Sequence, residues 1–167
     1  MENKDYEKRV REFFKKAGIT VLDSEKIELA DFGKGDFEKI GLSLCVYVNT
    51  DRVCAKEMVL FPHQTCPEHK HVETNGAEGK EETFRVRFGT VYLYVEGEGR
   101  KEDIEGGLPD TDTTVYHEIV LHPGEQHTIY PNTLHWFRAG DEGAVVSEFS
   151  THSTDETDVF TDKEIIR

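Results

Sequence analysis

Apolar residues recur at every second position from residue 42 onward, in short runs closed by glycine, proline or Asx turns, and that period of two dictates strands. Leu42, Leu44, Val46 and Val48 run into the turn Asn49-Thr50-Asp51, and Met58 to Phe61 follow. Phe84, Val86 and Phe88 alternate with Arg85 and Arg87 up to Gly89, and Val91, Leu93 and Val95 alternate with Tyr92 and Tyr94. Tyr116 to Leu121, His127 to Tyr130, Leu134 to Phe137 and Ala144 to Phe149 complete about eight to ten short strands. The glycine-rich, charged stretch Gly97 to Thr113 reads as a hairpin loop. No helix long enough for a crossover lies between these runs, so the sheet is expected to be mostly antiparallel. An all-β sandwich or small barrel of jelly-roll type satisfies the pattern. The exception is residues 4–17, where Val10, Phe13, Phe14 and Ala17 recur at steps of three and four among Lys, Arg and Glu. They form an amphipathic helix that Gly18 ends, packed on the body of the protein or on a partner subunit.

With 167 residues and neither repeat nor linker, the chain is expected to be one domain over 1–167, with the helix in 1–20 and a closing tail in 150–167. Its 34 Asp and Glu outweigh 20 Lys and Arg, a formal net charge of −14. Such a surface repels phosphate backbones and anionic lipid, which argues against nucleic acid and membranes as partners and against a strongly anionic substrate. Cys45, Cys54 and Cys66 are odd in number and widely spaced, as reduced thiols are. With a polar start and no long apolar run, they point to a cytoplasmic location.

Two segments carry the chemistry. His69-Lys70-His71 places two imidazoles on one face of a strand, and Glu82 follows after the polar, glycine-bearing insertion Glu73 to Lys80. His135 closes Pro131-Asn132-Thr133-Leu134-His135, in which Pro131 fixes the entry of a later strand. Three imidazoles and a carboxylate suit a divalent first-row metal and leave coordination positions open for substrate.

These residues resemble the cupin superfamily. Its first motif sets His-x-His before a Glu with a Gly seven residues beyond, an interval Glu82 and Gly89 keep. Its second runs from Gly through Pro to His, as Gly124, Pro131 and His135 do here. The gap from His71 to Glu82 is longer than the motif, and Pro131 to His135 is one residue short. Glu81 therefore stands as an alternative to Glu82, and His127 to His135; the interval to Gly89 and the position after the proline turn favour Glu82 and His135. With Phe61-Pro62, Lys80-Glu81-Glu82, Asn132 to Phe137 and Glu148 to Phe160, the chain is similar over nearly its full length to the cupin-type D-lyxose isomerases. That resemblance implies a single antiparallel β-barrel with an N-terminal helix. It also implies interconversion of a neutral aldose and its ketose, D-lyxose with D-xylulose or D-mannose with D-fructose, and a divalent ion, commonly Mn²⁺, with Fe²⁺, Co²⁺ or Zn²⁺ as substitutes.

Isomerisation moves a proton between C2 and C1, so a metal that stabilises the developing enediolate needs one base able to reach both carbons. Glu148 is the candidate, because alternation puts it on the face of Val146; an edge strand would leave it in water instead. Lys80 matches a lysine near the metal carboxylate of the isomerases and is expected to polarise an oxygen or shuttle a proton. Asp158, Trp136 and Phe137 are expected at the sugar, with at least one of the two aromatics in the core. His63, His117, His122, His127 and His152 read as surface or strand residues. The same ligands would also serve an iron(II) dioxygenase or a non-catalytic metal- or sugar-binding cupin. A phosphosugar isomerase would need cations in the pocket, and Arg85 and Arg87 alternate onto the outer face. Open sheet edges and the Phe-rich helix lead to an expected homodimer.

Overall fold

The computed structural model describes residues 3–167, and its architecture is a curled, nearly all-antiparallel sheet with one helix. Helix α1 spans Asn3–Lys16 and ends in a Schellman motif: Gly18, at φ 70°, lets its own N–H reach Lys15 and the Ile19 N–H reach Phe14. Val10, Phe13 and Phe14 are buried against Phe37, Val59, Phe61 and Val145, each contributing about 1.5–3 kcal/mol by burial. The helix phenylalanines therefore pack within their own chain and leave no Phe-rich face for a partner.

Nine strands follow: β1 (Glu28–Ala30), β2 (Leu42–Asn49), β3 (Cys54–Leu60), β4 (Thr65–Lys70), β5 (Glu82–Val95), β6 (His117–Leu121), β7 (Gln126–Ile129), β8 (His135–Ser150) and β9 (Val159–Phe160). The order is β1-β2-β3-β8-β4-β9, with β5 joining β8 to β6 and β7. Two of these strands are longer than the alternation suggests. Phe84–Phe88 and Val91–Val95 form one strand, β5, because the ladder shifts register at Val86/Phe88 and Gly89/Val91 rather than breaking. Leu134–Phe137 and Ala144–Phe149 likewise merge into β8. The first half of β8 pairs with β4 and the second with β3, while β5 runs alongside both halves. This ribbon bends the sheet into a half-barrel, whose interior holds Leu44, Met58, Phe84, Val86, Phe137 and Val146 among others.

A further bulge sets the site. Cys66 pairs with Phe137 and His69 with His135, so three steps on β4 match two on β8. The extra residue lets Cys66 and His69, an odd number apart, both face inward. The tail returns across the barrel mouth through a 3-10 turn, Asp155–Thr157, and β9, which pairs with β4. All three cysteines are buried and unpaired, and among the described residues no helix is long and apolar enough to cross a membrane.

Gly89 has φ 72°, and a Cβ there would lie 1.9 Å from the Gly143 carbonyl oxygen. Gly89→Ala is expected to destabilise the chain by about 2 kcal/mol or more. The expected result is a lower denaturant midpoint at unchanged slope; an unchanged midpoint would show that the bulge relaxes freely.

Candidate active site

β4, β5 and β8 bring His69, His71, Glu82 and His135 to one point inside the barrel, where all four are buried. One ligand atom from each histidine lies within 4.8 Å of the others. The orientation of each ring is set from behind. His69 Nδ1 faces the Pro67 carbonyl at 2.8 Å, His135 Nδ1 the Thr133 carbonyl at 2.9 Å, and His71 Nδ1 the Asp158 Oδ1 at 2.6 Å. Carbonyls and carboxylates accept, so each Nδ1 donates and, in the neutral ring, each Nε2 is left as a lone pair directed inward. Glu82 Oε1 lies 3.3 Å from His71 Nε2 and 3.0 Å from His135 Nε2. These approaches are not hydrogen bonds: His71 Nε2, His135 Nε2 and Glu82 Oε1 are buried without a partner. Acceptors facing acceptors in a dry interior are costly unless a cation sits among them. The donor set, nitrogen-rich with one oxygen, fits a divalent transition metal.

The protonation states of His69 and Glu82 agree with such a site. Burial and the neighbouring His135 and His71 hold His69 well below its ordinary pKa, as a neutral ligand. Burial alone would raise the Glu82 carboxyl, but Lys80 and His71 hold it well below the usual range. His71 is the exception: burial pulls it down, yet Glu82 and Asp158 outweigh it and push it up to about 9, so in the metal-free chain its Nε2 carries a proton toward Glu82 Oε1, one that a bound cation would displace.

Beside the ligands lies a ring of charge. Lys80, 6% exposed, sits 2.7 Å from Glu82 Oε2, 3.2 Å from Glu148 Oε1 and 3.2 Å from Asp155 Oδ1. Glu148 is 2% exposed and faces inward with Val146; β8 is paired on both sides there, by β3 and β5, so it is not an edge. Lys56 approaches Glu148 Oε1 at 3.4 Å and Asp155 Oδ2 at 2.9 Å. Lys56 and Asp155 were not distinguished by the sequence motifs. The signal for Lys56 was its register with Met58 and Leu60 on the inward face of β3, a charge where an aliphatic residue belongs.

These groups line a cavity of about 30 Å³ with Phe137, Asp158 and Phe160. It adjoins an outer groove of about 460 Å³ between β1, β2 and the tail, and Phe32, Lys56, Asp155 and Arg167 border both spaces. Trp136 does not reach the cavity. It follows His135 by one residue and so points to the opposite face, stacked on Tyr94 at 3.7 Å and donating from Nε1 to the Val115 carbonyl. Phe137 does line it. Asp158 also lines it, but its Oδ1 is committed to His71. Glu81 is exposed, and His127 stands outside the gathered histidines. Arg85 and Arg87 are exposed on the outer face.

Asp158→Asn is expected to lower metal affinity about 10–100-fold while leaving the fold intact, read by metal titration of the stripped protein. Unchanged affinity would show that His71 is held without it. His71 also gives the metal-free chain a pH signature. Its folded pKa lies above the unfolded value of about 6.5, so the stabilisation is complete below that pH and is lost as pH rises through about 9. The melting temperature of chelator-treated protein is expected to fall over that window, and a flat profile would contradict the pairing.

Residues 22–167 match the family model described as D-lyxose isomerase. A D-lyxose/D-mannose isomerase of Thermosediminibacter oceani is 60% identical, the alignment covering 98% of this chain and 93% of that protein. A D-lyxose ketol-isomerase of Cohnella laeviribosi is 56% identical, over 95% of this chain and 90% of that one. Among solved structures, an L-ribose isomerase of Cellulomonas parahominis superposes with a TM-score of 0.69 at 15% identity, covering 94% of this chain and 90% of its own. At that identity the likeness speaks to the fold, a cupin-type barrel. Family model, close relatives and the converging histidines agree: this chain belongs to the D-lyxose isomerase family.

Proposed function

We propose that the protein is a divalent-metal-dependent aldose–ketose isomerase acting on a free sugar, D-lyxose to D-xylulose first and D-mannose to D-fructose second. The observation that carries this reading is a buried carboxylate, Glu148, that lines one cavity together with His69 and Glu82 of the candidate metal set. The names of relatives at 54–60% identity point to the same sugars.

A divalent ion held by His69, His71, Glu82 and His135 would polarise the sugar carbonyl and its neighbouring hydroxyl. Glu148 takes the proton from C2 and returns it to C1, the proton staying on one carboxylate oxygen between the two events. Lys80, with its N–H groups directed at Glu82, Glu148 and Asp155, acts through its charge on the negative charge that develops nearby; burial works against the ammonium, but the three carboxylates keep it protonated. Asp158 holds His71 in its tautomer. Phe137 and Phe160 give an apolar wall that keeps water from the transferred proton. Among cavity residues, Glu82, Glu148, Asp155 and Asp158 face Lys56, Lys80 and Arg167, leaving no surplus cation for a phosphate. The isomerase family model and relatives favour aldose–ketose chemistry over oxygen chemistry.

Manganese is the proposed ion, with iron(II), cobalt and zinc as substitutes that such ligands accept. A cytoplasmic homodimer is the proposed state; Tyr47, Val53 and Phe149, exposed at 45%, 53% and 52%, offer apolar surface for the second copy.

Stripped protein is expected to convert D-lyxose only after Mn²⁺ is added, and Glu148→Gln to lower turnover about 10²–10⁴-fold with metal still bound. Turnover that survives in Glu148→Gln, or a metal-loaded protein that isomerises no neutral aldose, would overturn the reading.

A further inference from the structure

We propose that Lys56 is a positioning residue for Glu148: together with Lys80 it pins one carboxylate oxygen and leaves the other to carry the proton. This rests on the reading of Glu148 as the base.

Lys56 stands in the middle of β3, 3% exposed, on the same face as Met58 and Leu60. Lysine is almost never this buried unless paired, and a buried ion pair seldom stabilises more than the apolar residues that would fill its space. A methionine would pack the same stem. The ammonium is thus better explained by what it holds. It reaches Glu148 Oε1 at 3.4 Å, Asp155 Oδ2 at 2.9 Å and Ser153 Oγ at 3.2 Å.

The four charges form a closed ring. Lys56 and Lys80 each contact both Glu148 and Asp155, and both meet Glu148 on the same atom, Oε1. Among the described residues nothing donates to Glu148 Oε2, although the side chain lines the cavity. One oxygen is anchored from two directions, which fixes the torsion of the carboxylate, and the other is available. Without Lys56, one ammonium would be shared by Glu82, Glu148 and Asp155. Lys80 already lies nearest Glu82, at 2.7 Å, so Glu148 would lose its anchor and swing about its terminal bonds.

A base misplaced by about 1 Å loses on the order of 100-fold in rate without a matching loss in binding. Lys56→Met is therefore expected to lower kcat about 100-fold, with KM within about threefold and metal stoichiometry near that of the parent, while its melting temperature falls because Glu148 and Asp155 lose a buried counter-charge. Lys56→Arg, which restores a cation, is expected to recover at least about tenfold of that loss. A Lys56→Met protein with parental kcat would overturn the proposal, as would a loss confined to KM or an arginine variant no better than the methionine one. Should Lys56→Met fail to fold, Lys56→Arg against Lys56→Gln makes the same comparison: a faster arginine variant supports the role, and equal rates overturn it. Glu148→Gln is assayed in parallel. Full turnover there removes the base itself, whereas a slow Glu148→Gln beside a fast Lys56→Met removes only the part given to Lys56.

Discussion

Three histidine Nε2 atoms and a carboxylate oxygen are aimed at one another in a dry space, where neutral rings would leave lone pairs facing an anion. In water such groups would each be solvated; inside a barrel their mutual repulsion is relieved only by positive charge. The fold is arranged around that requirement. β4, β5 and β8 must close on one another to gather the three histidines and Glu82, and the Pro67 and Thr133 carbonyls and Asp158 must meet the far side of each ring. A flat sheet could not satisfy both demands, because its ligands would sit on separate strands with their rings free to turn.

The charge ring beside this centre ties the tail to the barrel. Asp155 and Asp158 both come from the returning segment, one bonded to two buried lysines and the other to a ligand histidine. Glu68, on the outward face of β4, adds a further clamp: its carboxylate accepts from the Thr114 N–H and hydroxyl, the Val115 N–H and the Thr161 hydroxyl. The residues that close the mouth are thus part of the site rather than a cover laid over it. The 30 Å³ inner space is smaller than a sugar, so substrate must spread into the adjoining groove or displace part of this closure.

The strands were legible because alternation survives in a half-solvated antiparallel sheet, and the convergence of His69 and His71 because His-x-His keeps parity on one face. What escaped were departures from parity. The bulge on β4 has no side-chain signature beyond Pro67, and it alone turns Cys66 and His69 to the same side. Gly89 read as the end of a strand, yet its positive φ bends β5 without stopping it. Trp136 and Phe137 are equally apolar neighbours, and only knowing which way His135 points assigns Phe137 to the cavity and Trp136 to the outside. Lys56 shares the inward parity of Met58 and Leu60, but its partners Glu148 and Asp155 lie in distant segments, so the sequence does not show what it meets.

The β5–β8 ribbon has a kinetic meaning as well. Its ladder runs from Glu82 opposite Ser150 to Val95 opposite His135, so the spine of the barrel is made of contacts distant in sequence. Loop closure must precede the reward from such pairings, and topologies of this kind fold in milliseconds to seconds rather than microseconds. During synthesis β8 emerges late, and until it docks between β3, β4 and β5 the histidines at the end of β4 have no third nitrogen and Glu82 is paired on one side only, with Ile129 of β7. The nascent chain therefore holds its β4 and β5 ligands apart from His135 until the last long strand is in place, which makes strand docking, not ligand synthesis, the event that creates the site.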